Sequence, residues 1–343
     1  MKAIKIVDVK KVEVRAVPDL APNGRDVLIQ VKASGICGSD LMFFRNGGFI
    51  GDQGTSTKTP GHEFCGVVVD PGASRTLKKG DRVVIMELNP CGECDLCKAG
   101  RINLCMQTLL VSYGCNENGF DGGMAEYCLV RPDMVVKIPD SLSDIQGALV
   151  EPAAIAMHAV LRSEVDAKSK VLVTGAGPIG LLCAAVARAM GAAQIVMTEI
   201  SADRIKFARE CNYADAVLNG ADADLKDKLL EISGGSFSHV LECTGVGAVA
   251  AVAMDLLGWA GHFQMVAIHG SFELNMETTS MKEIDVRGGF YFEPEGFQKV
   301  IDLMAAGRLN LDKLVTRVAK LEEAQSCFES LDAGSDAKIV FVP

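Results

Sequence analysis

Apolar and polar positions alternate along the first 150 residues in short runs that turn-forming residues separate. Two of these runs are DVLIQVKASG at residues 26–35 and KKGDRVVIMEL at residues 78–88. Gly, Pro and Asp stand between the runs, which is typical of short β-strands joined by tight turns. This part of the chain is therefore predicted to be an all-β, barrel-like region.

The pattern changes after Pro152, where apolar strands begin to alternate with amphipathic helices. A strand is predicted in KVLVTGAG at residues 170–177 and a helix in the fifteen residues that follow. The run VGAVAAVAMDLLGWAG at 246–261 is interpreted as a later helix of the same series. Such alternation indicates a parallel sheet covered by helices on both faces. The tail at 294–343 carries two helical stretches and ends in KIVFV, a strand that could return to the first domain.

Composition places the chain among ordinary globular proteins. Of its 343 residues, 49% are hydrophobic and 23% charged, which excludes a disordered chain. The formal net charge of −10 disfavours binding to nucleic acid or to anionic membrane surfaces. No apolar run is long enough for a transmembrane helix, and the first residues lack the apolar core of a signal peptide. A cytoplasmic protein is the expectation.

Four of the 12 cysteines form the cluster C-x2-C-x2-C-x7-C, with members Cys91, Cys94, Cys97 and Cys105. In a reducing compartment such clusters are metal ligands more often than disulfides. Four thiolates suit a closed, tetrahedral structural zinc site. An iron–sulfur cluster is the alternative, because C-x2-C-x2-C also occurs in ferredoxins. Zinc is preferred because nothing else in the chain indicates electron transfer.

A glycine motif, G-x-G-x-x-G, lies between a predicted strand and a predicted helix, the context that dinucleotide binding requires. Its tight turn and the helix N-terminus would face the pyrophosphate. The next strand ends at Glu199, where a carboxylate would accept hydrogen bonds from ribose hydroxyls and repel a 2′-phosphate. NAD is therefore favoured over NADP, although Arg204 lies nearby and could act in the opposite sense. The candidate cofactor residues in this segment are Gly175, Gly177, Pro178, Ile179, Gly180, Glu199 and Arg204.

Three short segments of the first domain carry a second set of candidate metal ligands. They are GICGSD at 35–40, PGHE at 60–63 and VEP at 150–152. One thiolate, one imidazole and a carboxylate could hold zinc and leave a position open for water or substrate.

The chain resembles the zinc-containing medium-chain alcohol dehydrogenases over nearly its whole length. The resemblance rests on these three segments and on four further motifs, GDRV, GGMAEY, VEPAAIAMHAV and VLVTGAGPIG. At position 151 the chain has glutamate in place of cysteine, and in this it resembles the polyol, threonine and butanediol dehydrogenase branch. The resemblance implies an α/β chain with a GroES-like β-barrel catalytic domain at 1–153 that carries the structural zinc lobe. It further implies a doubly wound Rossmann domain at 154–287, a C-terminal segment at 288–343 returning to the catalytic domain, and assembly into homodimers or homotetramers.

The resemblance also implies roles for individual residues and two zinc ions per chain. Cys37 and His62 would bind the catalytic zinc, Glu63 would be a ligand or a neighbouring group, and Glu151 would bind the zinc or its water. Ser39 would take the hydroxyl proton. The residues expected along the cofactor are Thr244, Ala267, Ile268 and His269.

The chain departs from the polyol branch in residues expected at the substrate. Met42 and Phe43 follow the GSD motif where a relay His and a Tyr are usual, and Tyr291 and Phe292 replace a usual Arg-Tyr. If these four side chains line the substrate pocket, they favour a less hydroxylated secondary alcohol or a sugar that stacks on rings.

The expected function is NAD- and zinc-dependent oxidation of a small secondary alcohol or polyol to a ketone. A sugar or sugar-acid dehydrogenase of the idonate or galactitol type is the alternative, with Arg45, Lys58 or Arg287 as candidate partners for an anionic substrate. A non-catalytic binder that keeps the fold is a more distant alternative.

Overall fold

The structure, a computed structural model, describes residues 1–47, 58–110, 120–268 and 270–343. The described chain divides into two compact units. The first contains Met1–Pro152 and Val315–Pro343, and the second contains Ala153–Leu314.

The strands are β1 Lys2–Asp8, β2 Lys11–Ala16, β3 Val27–Gly35, β4 Glu63–Asp70, β5 Arg82–Ile85, β6 Tyr127–Val130, β7 Val135–Lys137, β8 Lys170–Thr174, β9 Gln194–Glu199, β10 Ala216–Asn219, β11 Phe237–Glu242, β12 Leu257–Met265, β13 Asp285–Gly288, β14 Arg317–Ala319 and β15 Ile339–Phe341.

The helices are α1 Gly38–Asn46, α2 Asp95–Lys98, α3 Met106–Leu110, α4 Asp144–Gly147, α5 Val150–Arg162, α6 Pro178–Ala189, α7 Ala202–Cys211, α8 Leu225–Ser233, α9 Gly247–Asp255, α10 Met276–Met281, α11 Pro294–Ala305 and α12 Ala324–Asp332. Short 3₁₀ turns are formed at Ile102–Leu104, Pro132–Met134, Asp312–Leu314 and Leu321–Glu323.

The first unit is built around one sheet with the strand order β14-β15-β3-β4-β5-β7, and β6 also pairs with β3. The pairs β3–β4, β4–β5 and β5–β7 are antiparallel. Val27, Ile29 and Val31 alternate along β3 and are buried in a core that also contains Phe64. This alternation is the period-2 signal of the sequence, and the predicted β-rich first domain is confirmed.

The last strand of the chain, β15, belongs to the sheet of the first unit. It runs antiparallel to β3, with Val340 opposite Gly35 and Phe341 opposite Ser34. The buried side chains of Ile339 and Phe341 pack with residues of β1 and α1 in one hydrophobic cluster. The KIVFV segment therefore returns to the first unit.

The second unit contains a six-stranded sheet in the order β10-β9-β8-β11-β12-β13, and all of its strand pairs are parallel. Residues Val171–Thr174 of β8 are all buried, as expected for a central strand with both faces covered. The predicted parallel α/β arrangement is confirmed.

The interpretation of 246–261 as one helix is wrong. Helix α9 ends at Asp255, and β12 begins two residues later at Leu257, which lies opposite Phe237 of β11. A short apolar run does not distinguish a buried helix from a buried strand. Pairing with the neighbouring strand therefore decides the structure of Leu257–Gly261.

The placement of residues 288–314 differs from the expected domain division. These residues lie in the second unit and not in the segment that returns to the first. Helix α11 carries Phe297, which packs on Phe292, and Gly296 lies against Met157 of α5. The segment that joins the first unit begins at Val315. Within the described part of the chain, no helix combines the length and the apolar character needed to cross a bilayer.

Candidate functional site

Three of the predicted ligands converge in the first unit. Cys37 is the residue before α1, His62 is the residue before β4, and Glu63 is the first residue of β4. The thiol sulfur, one ring nitrogen and one carboxylate oxygen of these residues all lie within 4.8 Å of one another. Backbone pairing explains the approach, since Gly35 at the end of β3 is opposite Glu63.

A second group of donors shares His62 with the first. It contains Glu151, in the first turn of α5, and Glu87, which follows β5 by two residues. One donor atom from each of the three residues lies within 4.8 Å of the others, and all three side chains are buried. The sequence analysis missed Glu87. Its only sequence signal is a carboxylate directly after an apolar strand and four residues before Cys91.

Burial shapes the electrostatics of these carboxylates. Burial, together with the nearby charges of Glu63 and Glu87, raises the pKa of Glu151 to about 8 against the opposing effects of His62 and Lys338. Burial likewise raises the pKa of Asp40 to about 6, although its carboxylate accepts a hydrogen bond from the backbone N–H of Cys37 at 2.8 Å. A divalent cation would offset the cost of gathering these groups. Thiolate, imidazole and carboxylate donors are those that zinc takes, so the residues fit a zinc ion.

Lys338 is a further residue of this cluster that the sequence analysis did not identify. It directly precedes β15, is buried, and donates to the carboxylate of Glu63 and to the carbonyl oxygen of Ile36, the latter at 2.9 Å. Ser39 follows Cys37 by two positions in the chain. Its hydroxyl oxygen is buried and has no hydrogen-bond partner among the described residues.

The cysteine cluster forms a separate donor set in the first unit. The four sulfur atoms lie within 4.8 Å of one another, and those of Cys91 and Cys97 are 3.9 Å apart. The backbone N–H of Cys94 donates to the sulfur of Cys91 at 3.4 Å. Gly92 and Gly100 both adopt φ of +77°, the left-handed conformation that turns the chain around the cluster. The described cysteines form no disulfide, and this donor set fits a closed zinc site.

The glycine motif occupies the turn between β8 and α6. Gly175 has φ of +86°, and a Cβ atom on Gly180 would lie 2.0 Å from the carbonyl oxygen of Gly175. Gly177 is the N-cap of α6, and a Cβ atom there would meet nothing within 4 Å. Pro178 and Ile179 are the first two residues of the helix. The turn thus combines a close helix–strand approach with open space at Gly177, as pyrophosphate binding requires.

Glu199 ends β9, the strand next to β8, and its carboxylate lies at this turn. It accepts hydrogen bonds from the backbone N–H groups of Ala176 at 2.9 Å, Ile200 at 2.8 Å and Ser201 at 3.1 Å. Arg204 lies in the first turn of α7 and is exposed. The structure therefore places the carboxylate at the glycine turn and leaves the arginine on the helix surface.

The other expected cofactor residues follow the ends of neighbouring strands. Thr244 follows β11, and its methyl group lies 3.0 Å from the position of a Cβ on Gly175. Its backbone N–H donates to Glu242 at 2.8 Å, and its hydroxyl donates to the same carboxylate. Ala267 and Ile268 follow β12 and line a cavity of about 130 Å³. His269 lies outside the described residues.

Comparison with known proteins identifies the family. The model of the alcohol dehydrogenase GroES-like domain matches residues 23–140, and that of the zinc-binding dehydrogenases matches residues 178–306. The chain is 32% identical to sorbitol dehydrogenase of Bombyx mori and 31% identical to D-xylulose reductase A of Aspergillus niger. These matches cover 96% of this chain and 94% and 92% of the relatives.

The chain belongs to the zinc-binding alcohol dehydrogenase family. The fold agrees, since the crystal structure of 2R,3R-butanediol dehydrogenase from Bacillus subtilis superposes with a TM-score of 0.88 at 32% identity. That match covers 100% of this chain and 99% of the other. The first unit of this zinc-binding dehydrogenase is thus the GroES-like domain. The second unit, which contains the parallel sheet, is the Rossmann-type domain.

Two of the four expected pocket residues of this zinc-binding dehydrogenase lie in hydrophobic cores. Phe43 is 5% exposed and packs in the cluster that contains Ile4 and Phe44, and Phe292 is fully buried against Phe297. Apolar packing holds these two rings in the interior, and both stay predicted pocket residues. Met42 is half-buried against the same cluster as Phe43. Tyr291 packs edge-on against Phe290 at a positive φ of 52° and stays a predicted pocket residue.

Proposed function

We propose that this dehydrogenase oxidises a secondary alcohol or polyol to a ketone, with NAD as the hydride acceptor. The observation that carries the proposal is that two groups of metal donors in the first unit, Cys37 with Glu63 and Glu87 with Glu151, share His62. A bound zinc ion would lower the pKa of a coordinated hydroxyl, and a bound nicotinamide would accept the hydride. Ser39 would accept the hydroxyl proton through its unpartnered oxygen and pass its own proton on to water or to a ribose hydroxyl.

The preference for NAD rests on Glu199. Its carboxylate lies at the glycine turn, where ribose hydroxyls would donate to it and a 2′-phosphate would be repelled. Arg204 is exposed near the start of α7 and is the residue that would act in the opposite sense. The glycine turn and the metal ligands are both intact, and this supports an enzyme over a non-catalytic binder.

The names of the relatives indicate a narrower substrate class. Sorbitol, xylulose and 2,3-butanediol all carry a hydroxyl or carbonyl carbon directly beside a carbon that bears a hydroxyl. We infer that the substrate is a neutral vicinal diol of this kind.

An anionic sugar acid or sugar phosphate is less well supported. Such a substrate requires a basic partner, and both arginine candidates are already paired. Arg45 donates to Asp332 at 2.5 Å, and Arg287 pairs with Glu164 at 2.6 Å and Asp285 at 3.0 Å. The candidate metal site itself gathers carboxylates, which would repel a second anion.

The test is NADH formation by the zinc-loaded protein across sorbitol, xylitol, 2,3-butanediol, idonate, galactitol 1-phosphate and 2-butanol. We expect turnover on the neutral diols and polyols at rates well above those on the two anions and on 2-butanol. Cys37→Ala should abolish turnover, whereas the matched control Cys211→Ala, a core cysteine of the second unit, should retain it. Absence of turnover on the whole panel, with two zinc ions bound per chain, would contradict the proposal.

A further inference from the structure

Glu87 belongs to the candidate metal cluster, but the site predicted from the sequence gives it no role. Its side chain is 2% exposed, and its Oε2 atom is 4.0 Å from Nε2 of His62. It also lies within reach of the Glu151 carboxylate, since one donor atom from each of the three residues falls within 4.8 Å of the others. A carboxylate seldom lies so deep in a protein unless a cation or hydrogen-bond donors compensate its charge.

The distance between Glu87 and His62 suits two ligands of one ion. Zinc binds imidazole nitrogen and carboxylate oxygen at about 2.1 Å, so two such donors on a tetrahedral ion lie about 3.4 Å apart. The observed 4.0 Å is too long for a direct hydrogen bond and close to this spacing. A small movement of either side chain would bring both donors onto a shared ion.

The three glutamates of the cluster differ in their partners. Glu63 has its Oε2 atom bound by the ammonium group of Lys338. Glu87 and Glu151 instead form their donor group with His62. Two carboxylates in this arrangement repel each other, and a divalent cation between them reverses the sign of the interaction.

We propose that Glu87 is a ligand of the catalytic ion, together with His62 and Glu151, in addition to the donors predicted from the sequence. The proposal rests on the proposed function only in taking this cluster as the catalytic metal site. Its chemical consequence is a site of Cys37, His62, Glu87 and Glu151, richer in oxygen than one with a single glutamate, at which a substrate hydroxyl would bind as a fifth ligand. Oxygen donors favour harder ions, so the site should accept cobalt and manganese more readily than a thiolate-rich site does.

Cobalt binding to the metal-depleted full chain tests this proposal without any substrate. Co²⁺ at the four-cysteine site gives the intense thiolate charge-transfer absorption that remains in Cys37→Ala, and Co²⁺ at the second site is followed by the part of the spectrum, d–d bands included, that Cys37→Ala removes. Glu87→Gln removes the charge of the ligand and nearly preserves its shape. We expect it to weaken cobalt and zinc affinity at the second site about 10- to 100-fold and to alter its d–d bands, with the four-cysteine absorption unchanged.

The matched control is Glu13→Gln, a surface glutamate of the same unit that pairs with Lys11 and Arg15. This variant should bind both cobalt ions as the unchanged protein does. The four-cysteine absorption reports folding in every sample. If Glu87→Gln does not fold, Glu87→Asp keeps the charge on a shorter side chain, and it should also weaken the second site and shift its bands.

The possible outcomes separate this proposal from the proposed function. Unchanged affinity and unchanged d–d bands in a folded Glu87 variant would overturn the ligand role. A variant that keeps its cobalt site but loses affinity for the diol would also overturn it, because Glu87 would then contact substrate and not metal. If Glu87→Gln loses the second ion while the unchanged protein oxidises no alcohol, the ligand role holds and the proposed function fails.

Discussion

The ammonium group of Lys338 donates to the carboxylate of Glu63, and both side chains are almost fully buried. The two residues are 275 positions apart in the chain. Backbone pairing brings them together, because β3 lies between β15 and β4 in the sheet. Gly35 at the end of β3 leaves the space they occupy. A Cβ atom there would lie 2.3 Å from the carboxylate of Glu63 and 3.1 Å from Cε of Lys338. The returning tail therefore contributes a positive charge to the candidate metal site.

Removal of this charge should destabilise the first unit strongly. Lys338→Met leaves the carboxylate of Glu63 buried without its partner, and breaking a buried ion pair from one side costs about 3–5 kcal/mol. We expect a loss of this size in the free energy of unfolding, measured by urea denaturation of the metal-depleted protein at pH 7.

The matched control is the double variant Glu63→Gln/Lys338→Met, which removes both charges. It should recover a large part of the lost stability, because no uncompensated charge remains. Equal destabilisation of the single and double variants would show that the packing of Lys338, and not its charge, is what matters.

Two substitutions in the glycine turn should have different effects, one on stability and the other on cofactor binding. Gly180→Ala places a Cβ atom 2.0 Å from the carbonyl oxygen of Gly175 and should lower stability by about 1–3 kcal/mol. Gly177→Ala meets nothing within 4 Å and should leave stability unchanged in the absence of cofactor. Because the space at Gly177 is where the pyrophosphate would approach, this variant should bind NAD at least tenfold more weakly.

Thermal unfolding without ligand and NAD titration by calorimetry measure the two effects separately. A Gly177→Ala protein that binds NAD normally would remove this turn from the cofactor site. A Gly180→Ala protein of unchanged stability would show that α6 shifts to accept the methyl group.

Glu199 should control the choice between NAD and NADP. Glu199→Ser removes the carboxylate that would repel a 2′-phosphate, so the ratio of kcat/KM for NADP to that for NAD should rise at least tenfold. The substitution also removes the acceptor of the Ala176 N–H, so a modest loss of stability is expected. Asp203→Ser, an exposed substitution in the first turn of α7, is the control and should leave the ratio unchanged. An unchanged ratio in Glu199→Ser would place the ribose elsewhere.

The parts of the site that the sequence predicts are those held together by local spacing. The four cysteines span 15 positions, and the glycine turn spans six, so the chain has little freedom to separate them. The alternation of strands and helices likewise identifies the parallel sheet, because periodicity depends only on neighbouring residues.

The residues that the sequence does not reveal reach the site through long-range strand pairing. Glu87 and Lys338 stand in segments without a metal-binding motif, and only the order of strands in the sheet places them near His62. The burial of Phe43 is likewise not evident from the sequence. A helix of nine residues has one face toward the core, and adjacency to the GSD motif does not show which face Phe43 occupies.

The folded structure of residues 91–105 should depend on the metal ion bound by the four cysteines. Helix α2 has four residues and none of them is buried, so the segment has no apolar core of its own. We expect Cys94→Ser to lose one of two bound zinc ions and to make residues 91–105 readily cleaved by protease. Metal analysis and limited proteolysis measure the two effects. Cys37→Ala is the reciprocal control, since it should lose the other ion and leave this segment resistant. A Cys94→Ser protein that keeps two zinc ions would contradict the assignment.

His239 should make the stability of the second unit depend on pH. Burial, together with the stacked ring of His262 at 4.8 Å, lowers the pKa of His239 to about 4. In an unfolded chain the same group has a pKa near 6.5. Between pH 6.5 and pH 4 the unfolded state therefore binds the proton and the folded state does not, so stability falls as the pH falls through this range. Above pH 6.5 both states are neutral and this contribution is constant.

The expected loss is about 1–3 kcal/mol between pH 7 and pH 4.5, measured by urea unfolding at each pH. His239→Phe keeps an aromatic ring beside His262 and cannot titrate, so its stability should fall less steeply than that of the unchanged protein. Tyr213→Phe, a substitution at another buried ring of the second unit, is the control and should give a curve parallel to that of the unchanged protein. Asp166 and Glu164 also face His239 and stabilise its protonated form, so their charges limit the size of the effect. If the curves of His239→Phe and the unchanged protein are parallel from pH 7 to pH 4.5, His239 is not the titrating group.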